Sequence, residues 1–266
     1  MLLFDEMYLQ KCEEFVGGES YGADKEGNLY KGVVCFMIVG LKENIPYVIK
    51  SVPETKISGT LLEEELEKCI RTLQILDFNI RGVVCDNHAS NVATFRSLSS
   101  SYGRENDFLR VWINDQPIYL LYDAVHLVKN LRNNLLNRKK LLFPPFINND
   151  MEKEVKVAGG EISWSLLHKV HEKDRETQAH LRAPPKLSST VLHPGNCKQS
   201  VPAALAVFDP STRAAILKYF PTAQDSSDFI NLIYTWWTIS NAKCQFNSNY
   251  SIGNAAIVGD RKISFL

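Results

Sequence analysis

The chain has 266 residues, of which 45% are hydrophobic, 23% charged and 10% aromatic. This composition is ordinary for a globular protein and excludes a disordered chain, a collagen-like repeat and a coiled coil. Thirty Lys and Arg residues balance thirty Asp and Glu residues, which excludes a basic coat over the whole surface but permits a local basic patch. The six cysteines contain no Cys-x-x-Cys pair, which argues against a zinc knuckle and favours reduced, intracellular thiols.

The N-terminus carries no signal-peptide pattern, and no apolar run approaches the roughly 20 residues of a membrane span. We therefore expect no membrane partner. Because the apolar run begins at the first residue, we also expect that part of the protein is missing upstream.

Apolar runs predict five β-strands, at 1–9, 33–40, 46–53, 82–86 and 117–123. Ser58 is placed to cap a helix over 58–76, whose apolar residues recur at helical spacing. Ser90 or Asn91 is expected to cap a short second helix that ends near Leu98, followed by a loop at 99–103. A third helix is expected over 125–137.

Three strands joined by turns and then strands separated by helices predict an α/β fold, with a mixed sheet and helices on its faces. This order resembles that of the ribonuclease-H-like fold, in which the first and fourth strands lie side by side at the sheet centre. After residue 137 no strand is evident. Helical patterns there predict a second, mainly helical unit, with helices at 164–171, 202–208, 212–220 and 228–241.

Two carboxylates stand where they could share a metal ion. Asp5 lies in the first strand and Asp86 ends the fourth. If these strands are neighbours, the two side chains can converge, and a shared Mg²⁺ or Mn²⁺ would offset the cost of placing them together. Asp86 could instead begin a turn, and Asp5 could face solvent on an edge strand. Glu6 is expected to point to the opposite face in a structural or solvated role.

Two further features carry open alternatives. Asp123 and His126 are three residues apart and could form a third metal-side group or a simple helix cap. A basic stretch without acidic residues follows, and it could contact a phosphate backbone or form a solvated helix face. Its cations are Lys129, Arg132, Arg138, Lys139 and Lys140.

Residues 84–91 (VCDNHASN) and 119–134 (YLLYDAVHLVKNLRNN) resemble the P-element transposase family, which includes the THAP-domain transposase-like proteins of animals. Residues 4–7 resemble the first catalytic strand of that family. Residues 185–188, 229–231 and 236–241 resemble pieces of its nucleotide-binding insertion. The resemblance covers most of the chain and is most specific over 119–137.

The resemblance implies a ribonuclease-H-like transposase domain over 1–122 and a helical GTP-binding-type insertion over 123–266. The family cuts and joins DNA with two metal ions held by two Asp and one Glu, and Asp5 and Asp86 match the two aspartates. The third acid follows the insertion and is not reached by this chain. The THAP module and the oligomerising helix are also absent, so we expect a partial chain with weak or no strand cleavage.

For the insertion, the resemblance implies that Lys186 and Lys198 lie near the nucleotide phosphates and that Trp237 stacks on the base. Asn241 is retained from the pattern that reads guanine. Thr238 stands where the family usually has an aspartate. Threonine cannot present a carboxylate to two donors, so we expect any guanine selectivity to be weakened.

The resulting hypothesis is a partial P-element-type transposase that acts on transposon ends and target DNA, as a homo-oligomer in the nucleus. The alternative is a catalytically dead or domesticated derivative that binds DNA or a protein partner. A ribonuclease-H-like exonuclease is a third reading. Those enzymes carry Asp-x-Glu on the first strand, whereas Asp5 and Glu6 are adjacent here.

Overall fold

The structure is a computed structural model. It describes residues 1–10, 12–40, 46–56, 58–104, 109–150, 153–177, 186–195 and 197–241. The chain divides into two compact units, the first formed by Met1–Asp123 and the second beginning at Ala124.

The first unit is built on a six-stranded sheet. The strands of this unit are β1 Leu2–Tyr8, β2 Glu14–Val16, β3 Glu19–Tyr21, β4 Gly32–Val39, β5 Pro46–Glu54, β6 Gly82–Cys85, β7 Arg110–Ile113 and β8 Gln116–Tyr122. The strand order of the main sheet is β5-β4-β1-β6-β8-β7. β1 pairs antiparallel with β4 and parallel with β6, and β6 pairs parallel with β8. The expected adjacency of the first and fourth predicted strands is therefore confirmed by β1 and β6.

Three of these strands were not predicted. β2 and β3 form a separate two-stranded hairpin, and β7 pairs with β8 at the edge of the main sheet. The three strands are only three or four residues long, too short for alternation to stand out from the turns around them.

Two helices, α1 Gly59–Ile75 and α2 Ala89–Tyr102, complete the unit. The Ser58 hydroxyl accepts a hydrogen bond from the Leu61 amide at 3.3 Å, which confirms the predicted cap of α1. The expected cap of α2 is wrong, because His88 takes the cap position and Ser90 and Asn91 lie in the first turn. The loop expected at 99–103 is mostly the last turn of α2.

The helices share one apolar core with alternate residues of the strands. Leu2 and Phe4 of β1, Val83 of β6 and Leu120 of β8 are buried in this core. Because side chains alternate along a strand, the residues between them point to the opposite face. The carboxylate of Asp5 is on that second face.

The second unit begins with α3 and packs its helices around a core that includes Trp164, Leu167, Phe208 and Ile216. Its helices are α3 Ala124–Arg138, α4 Trp164–Glu176, α5 Ser189–Leu192, α6 Val201–Val207, α7 Pro210–Tyr219 and α8 Gln224–Ser240, with a short 3₁₀ helix at Cys197–Gln199. The mainly helical character predicted from the sequence is confirmed.

The expectation of no strand after residue 137 is wrong. β9 Lys140–Phe143 pairs with β12 Gly160–Ser163, and β10 Phe146–Asp150 pairs with β11 Lys153–Val157. The prolines at 144 and 145 indicated only a break in the chain, whereas they separate two short strands.

No helix among the described residues is both long enough and apolar enough to span a membrane.

Titration of His168 should make the stability of the second unit depend on pH. Its ring centroid lies 4.9 Å from that of His193 and 6.3 Å from that of Trp164. Burial lowers the pKa of His168, and the positive charges of His193, His171 and Lys139 lower it further, while Glu172 raises it.

Because the folded state binds this proton less readily than the unfolded chain, the stabilisation is complete above the ordinary histidine pKa of about 6.5. It should be lost as the pH falls through the lower pKa of the folded state. We expect the urea midpoint, followed by tryptophan fluorescence, to fall as the pH is lowered below about 6.5, and His168→Gln to flatten this dependence. An unchanged slope in a folded His168→Gln protein would contradict this assignment.

Candidate functional site

Asp5 and Asp86 lie on neighbouring strands at the same level and on the same face of the sheet. β1 and β6 are parallel, with Leu2 opposite Val83 and Leu3 opposite Val84. Continued by two residues, this register brings Asp5 level with Asp86, which directly follows the last residue of β6. Neighbouring strands are about 4.8 Å apart. The structure therefore brings together the two residues that the sequence predicted as catalytic, and β1 is an interior strand rather than an edge.

The Asp86 side chain is held by the residues that follow it. Its Oδ1 accepts hydrogen bonds from the His88 backbone amide at 2.9 Å and from Asn91 Nδ2 at 2.8 Å. The Asn91 side chain is 1% exposed, and its Oδ1 has no hydrogen-bond partner within the described part of the chain. Asp86 does begin a turn, as the alternative interpretation held, and this turn fixes the orientation of its carboxylate.

Glu6 connects β1 to the start of α2. Its Oε1 accepts a hydrogen bond from the Ser90 hydroxyl at 3.1 Å, and that hydroxyl lies 2.8 Å from His88 Nδ1. Because the single Ser90 hydroxyl proton goes to Glu6, His88 Nδ1 must donate to Ser90. The predicted structural role of Glu6 agrees with this contact, whereas the sequence analysis missed the roles of Ser90 and Asn91.

The ends of these strands concentrate negative charge. Burial raises the pKa of the Glu6 carboxyl, and the charges of Asp86 and Asp5 raise it further, against the hydrogen bond from Ser90 and the charge of His88. Burial also raises the pKa of the Cys85 thiol, with additional contributions from Asp86, Glu6 and Asp5. Such a site favours a cation.

The donor set suits Mg²⁺ or Mn²⁺ in type, since both ions prefer carboxylate oxygens. It is incomplete in number, because no group of three or more His, Cys, Asp or Glu side chains within the described residues is arranged to hold a metal ion. Asp123 follows β8, and its amide donates to the Cys85 carbonyl at 2.7 Å, so its backbone lies at the level of Asp86. The choice between a metal-side role and a helix cap for Asp123 stays open.

The residues predicted to bind a nucleotide lie in three parts of the second unit. Lys186 Nζ forms an ion pair with Asp209 Oδ2 at 2.8 Å, which raises the pKa of Lys186. Lys198 is exposed on the 3₁₀ helix. Trp237 of α8 packs partly buried against the core, and Asn241 Nδ2 donates to the Trp237 carbonyl at 3.2 Å. Pro185, the first residue of the 185–188 segment, lies outside the described residues.

Lys186 also lies close enough to α8 for ionisation of Tyr234 to raise the pKa of Lys186. Tyr234 is one turn before Thr238, whose hydroxyl donates to the Tyr234 carbonyl at 2.9 Å. Lys186, which is predicted to contact the nucleotide phosphates, therefore lies near α8, which carries Trp237, the residue predicted to stack on the base.

The basic stretch on α3 is divided between surface and interior. Arg138, Lys139 and Lys140 are exposed and Lys129 is partly exposed, but Arg132 is 0% exposed. The Arg132 guanidinium donates through Nη2 to the Lys198 carbonyl at 3.0 Å and lies 3.5 Å from the Cys197 carbonyl. Burial lowers the pKa of Arg132.

The assignment of Arg132 to nucleic-acid binding is therefore corrected, because a side chain with no exposed surface cannot contact a phosphate backbone. It holds the 3₁₀ helix against α3. The sequence carried a signal for this, since Arg132 falls between Val128 and Leu135 on the buried stripe of α3.

Part of this chain is similar to a known family. Residues 1–99 match the family model of the TNP-like, RNase H N-terminal domain. The mixed sheet and helices of the first unit agree with this RNase H-like match.

A solved structure gives the more particular relation. The fold matches that of the Drosophila P element transposase strand transfer complex, with a TM-score of 0.67 and 18% sequence identity over 91% of this chain and 52% of that chain. This chain therefore spans about half the length of that transposase. At this identity the match shows a shared fold. No curated protein matches the sequence.

Different outcomes are expected for two arginines of α3. Arg132→Gln should lower the free energy of unfolding by about 1–3 kcal/mol, because it removes the charged donor from the Lys198 carbonyl. Arg138→Gln, at an exposed position, should change stability by less than about 0.5 kcal/mol. If the exposed cations contact DNA, only Arg138→Gln should reduce affinity and salt dependence in a duplex-binding titration. A loss of DNA affinity in a folded Arg132→Gln protein would contradict its structural role.

Proposed function

We propose that this chain is part of a P-element-type DNA transposase, in which Asp5 and Asp86 contribute to a two-metal site for phosphoryl transfer on DNA. The observation that supports the proposal is the parallel register of β1 and β6, which, continued by two residues, brings Asp5 level with Asp86. The substrates of the complete protein are transposon ends and target DNA. On the resemblance, it acts as a homo-oligomer in the nucleus.

Each proposed ligand is already oriented by its neighbours. The Glu6 amide donates to Asp5 Oδ1 at 2.9 Å, and the His88 amide and Asn91 side chain hold Asp86. Bound Mg²⁺ or Mn²⁺ would supply activation of a water or 3′-hydroxyl and stabilisation of the leaving oxygen. Because the resemblance implies a third acidic ligand besides Asp5 and Asp86, the proposal attributes full activity to a site that contains all three.

Manganese binding tests the carboxylate pair. We expect electron paramagnetic resonance to detect weak binding of Mn²⁺ by the full chain, and Asp5→Asn or Asp86→Asn to abolish it, because each removes one of the two proposed ligands. Glu64→Gln, an exposed change on α1, removes the same charge and should leave binding unaltered. DNA nicking with Mg²⁺ should be weak or absent.

Equal Mn²⁺ binding by the parent chain and a folded Asp86→Asn protein would refute the carboxylate site. Robust Mg²⁺-dependent nicking that disappears in Asp86→Ala would instead show that the chain needs no third ligand from elsewhere. Both assays separate a metal-dependent transposase domain from the alternative of a binding module without catalysis.

We also propose a nucleotide site in the second unit, with Lys186 and Lys198 on the phosphates and Trp237 and Asn241 on the base. Its support is the resemblance and the proximity of Lys186 to α8. The Thr238 hydroxyl already donates a hydrogen bond to the Tyr234 carbonyl. It cannot accept the two donors of a guanine edge as a carboxylate would.

Calorimetry with GTP and ATP tests this second site. The full chain should bind both nucleotides with similar affinity, and Thr238→Asp should favour GTP by about 1–3 kcal/mol, the value of a bidentate contact to a base. Trp237→Ala should weaken both, whereas Trp236→Ala serves as the neighbouring control. Failure of both nucleotides to bind would remove this part of the proposal.

A further inference from the structure

Four side chains at the edge of the six-stranded sheet alternate cation and aromatic ring. The Arg104 guanidinium carbon lies 3.6 Å from the centroid of the Trp112 ring, and that of Arg110 lies 5.5 Å from Trp112 and 5.7 Å from Tyr119. We call Arg104, Arg110, Trp112 and Tyr119 the arginine–aromatic strip. None of the functions discussed above uses it.

The backbone pairing explains how the strip forms. Arg110 is directly opposite Tyr119 in the antiparallel pair of β7 and β8. A bridge between Gly103 and Val111 brings the chain after α2 alongside β7, which places Arg104 next to Trp112. The strip therefore draws on three segments that only the folded sheet brings together.

The strip lies on the same face of the sheet as the carboxylate pair. Val111 and Ile118, which pair with each other, are buried in the helix-covered core, so the alternating residues Arg110 and Tyr119 point to the other face. Tyr119 pairs with Gly82 and Leu121 pairs with Val84, so these two residues of β6 lie on the same face as Tyr119. Because side chains alternate along a strand, Asp86, two residues after Val84, is expected on this face as well.

The distance between the two features follows from the register. Tyr119 is opposite Gly82, four residues before Asp86, which corresponds to about 13 Å along a strand. A flexible nucleic acid strand that crosses the strip can thus reach the carboxylates without leaving this face.

The exposure of Tyr119 indicates that the strip can contact a ligand. Tyr119 is 45% exposed although it lies in an interior strand of the sheet. Guanidinium groups suit phosphates, and exposed rings on a sheet suit the stacking of bases.

We propose that the arginine–aromatic strip binds single-stranded DNA and guides it toward Asp5 and Asp86. This inference rests on the proposed transposase function, which supplies DNA as the nucleic acid. Stacking on Tyr119 requires an unpaired base, since the bases of a duplex are stacked on one another and closed to an aromatic side chain. The strip therefore prefers an unpaired segment over a duplex of the same length.

Fluorescence anisotropy with the full chain tests the strip, using labelled oligothymidylate of about 20 nucleotides and a duplex of equal length. The single strand should bind more tightly than the duplex. Tyr119→Ala should weaken single-strand binding roughly 5- to 150-fold, the range expected for one lost stacking contact, whereas Tyr119→Phe should retain it. Arg104→Gln and Arg110→Gln should each reduce the slope of log affinity against log salt by about 0.7.

Two control variants match these changes elsewhere in the first unit. Tyr47→Ala removes a tyrosine that is 59% exposed on β5, the opposite edge of the sheet. Lys68→Gln removes a cation whose side chain is 61% exposed on α1. Both should bind the single strand like the parent chain, and circular dichroism should show that every variant is folded.

Unchanged single-strand affinity in folded Tyr119→Ala and Arg104→Gln proteins would overturn the inference and leave the strip as protection of an edge strand. Equal affinity for single strand and duplex, with Tyr119→Ala affecting both alike, would also overturn it. These outcomes are distinct from failure of the proposed function, because Mn²⁺ binding at Asp5 and Asp86 is measured without DNA. Loss of Mn²⁺ binding with an intact strip effect would reject the metal site alone.

Discussion

The parallel pairing of β1 with β6 is the constraint on which the candidate site depends. It joins residues about eighty positions apart in the chain and sets Asp5 at the level of Asp86. A register shift of one residue would turn one carboxylate to the helix-covered face. The burial of Leu2 and Phe4 on that face opposes such a shift. The apolar core of the first unit therefore also determines the geometry of its polar site.

Hydrogen bonds from α2 to Glu6 and Asp86 stabilise the same register from the helix-covered face of the sheet. Glu6 contacts Ser90 across a separation of 84 residues, which ties β1 directly to the beginning of α2. Asn91, one residue further along α2, holds Asp86. The carboxylates are thus positioned by both the sheet and the helix, in the manner of a preorganised site supported by a second layer of contacts.

Local patterns predicted the parts of the fold that local physics decides. The long apolar run that became β4 and the Ser58 cap of α1 could both be found within a few residues of sequence. The parallel register and the Glu6–Ser90 contact could not, because each depends on distant segments meeting in the folded chain. The separation of Arg132 from Arg138 required the buried stripe of α3, since composition alone treats both as cations. The alternation of Arg104, Trp112, Arg110 and Tyr119 arises only when β7 pairs with β8 and the Gly103–Val111 bridge forms.

The inward position of Arg132 has a consequence for how α3 responds to its ionic surroundings. Dissolved salt screens exposed charges over about 8–10 Å but reaches an enclosed guanidinium only weakly. Arg138 and Lys139 can therefore exchange counterions freely, whereas salt affects the contact of Arg132 with the 197–198 carbonyls much less. A partner attracted by the outer cations could be released by a rise in ionic strength without loosening the helices beneath it.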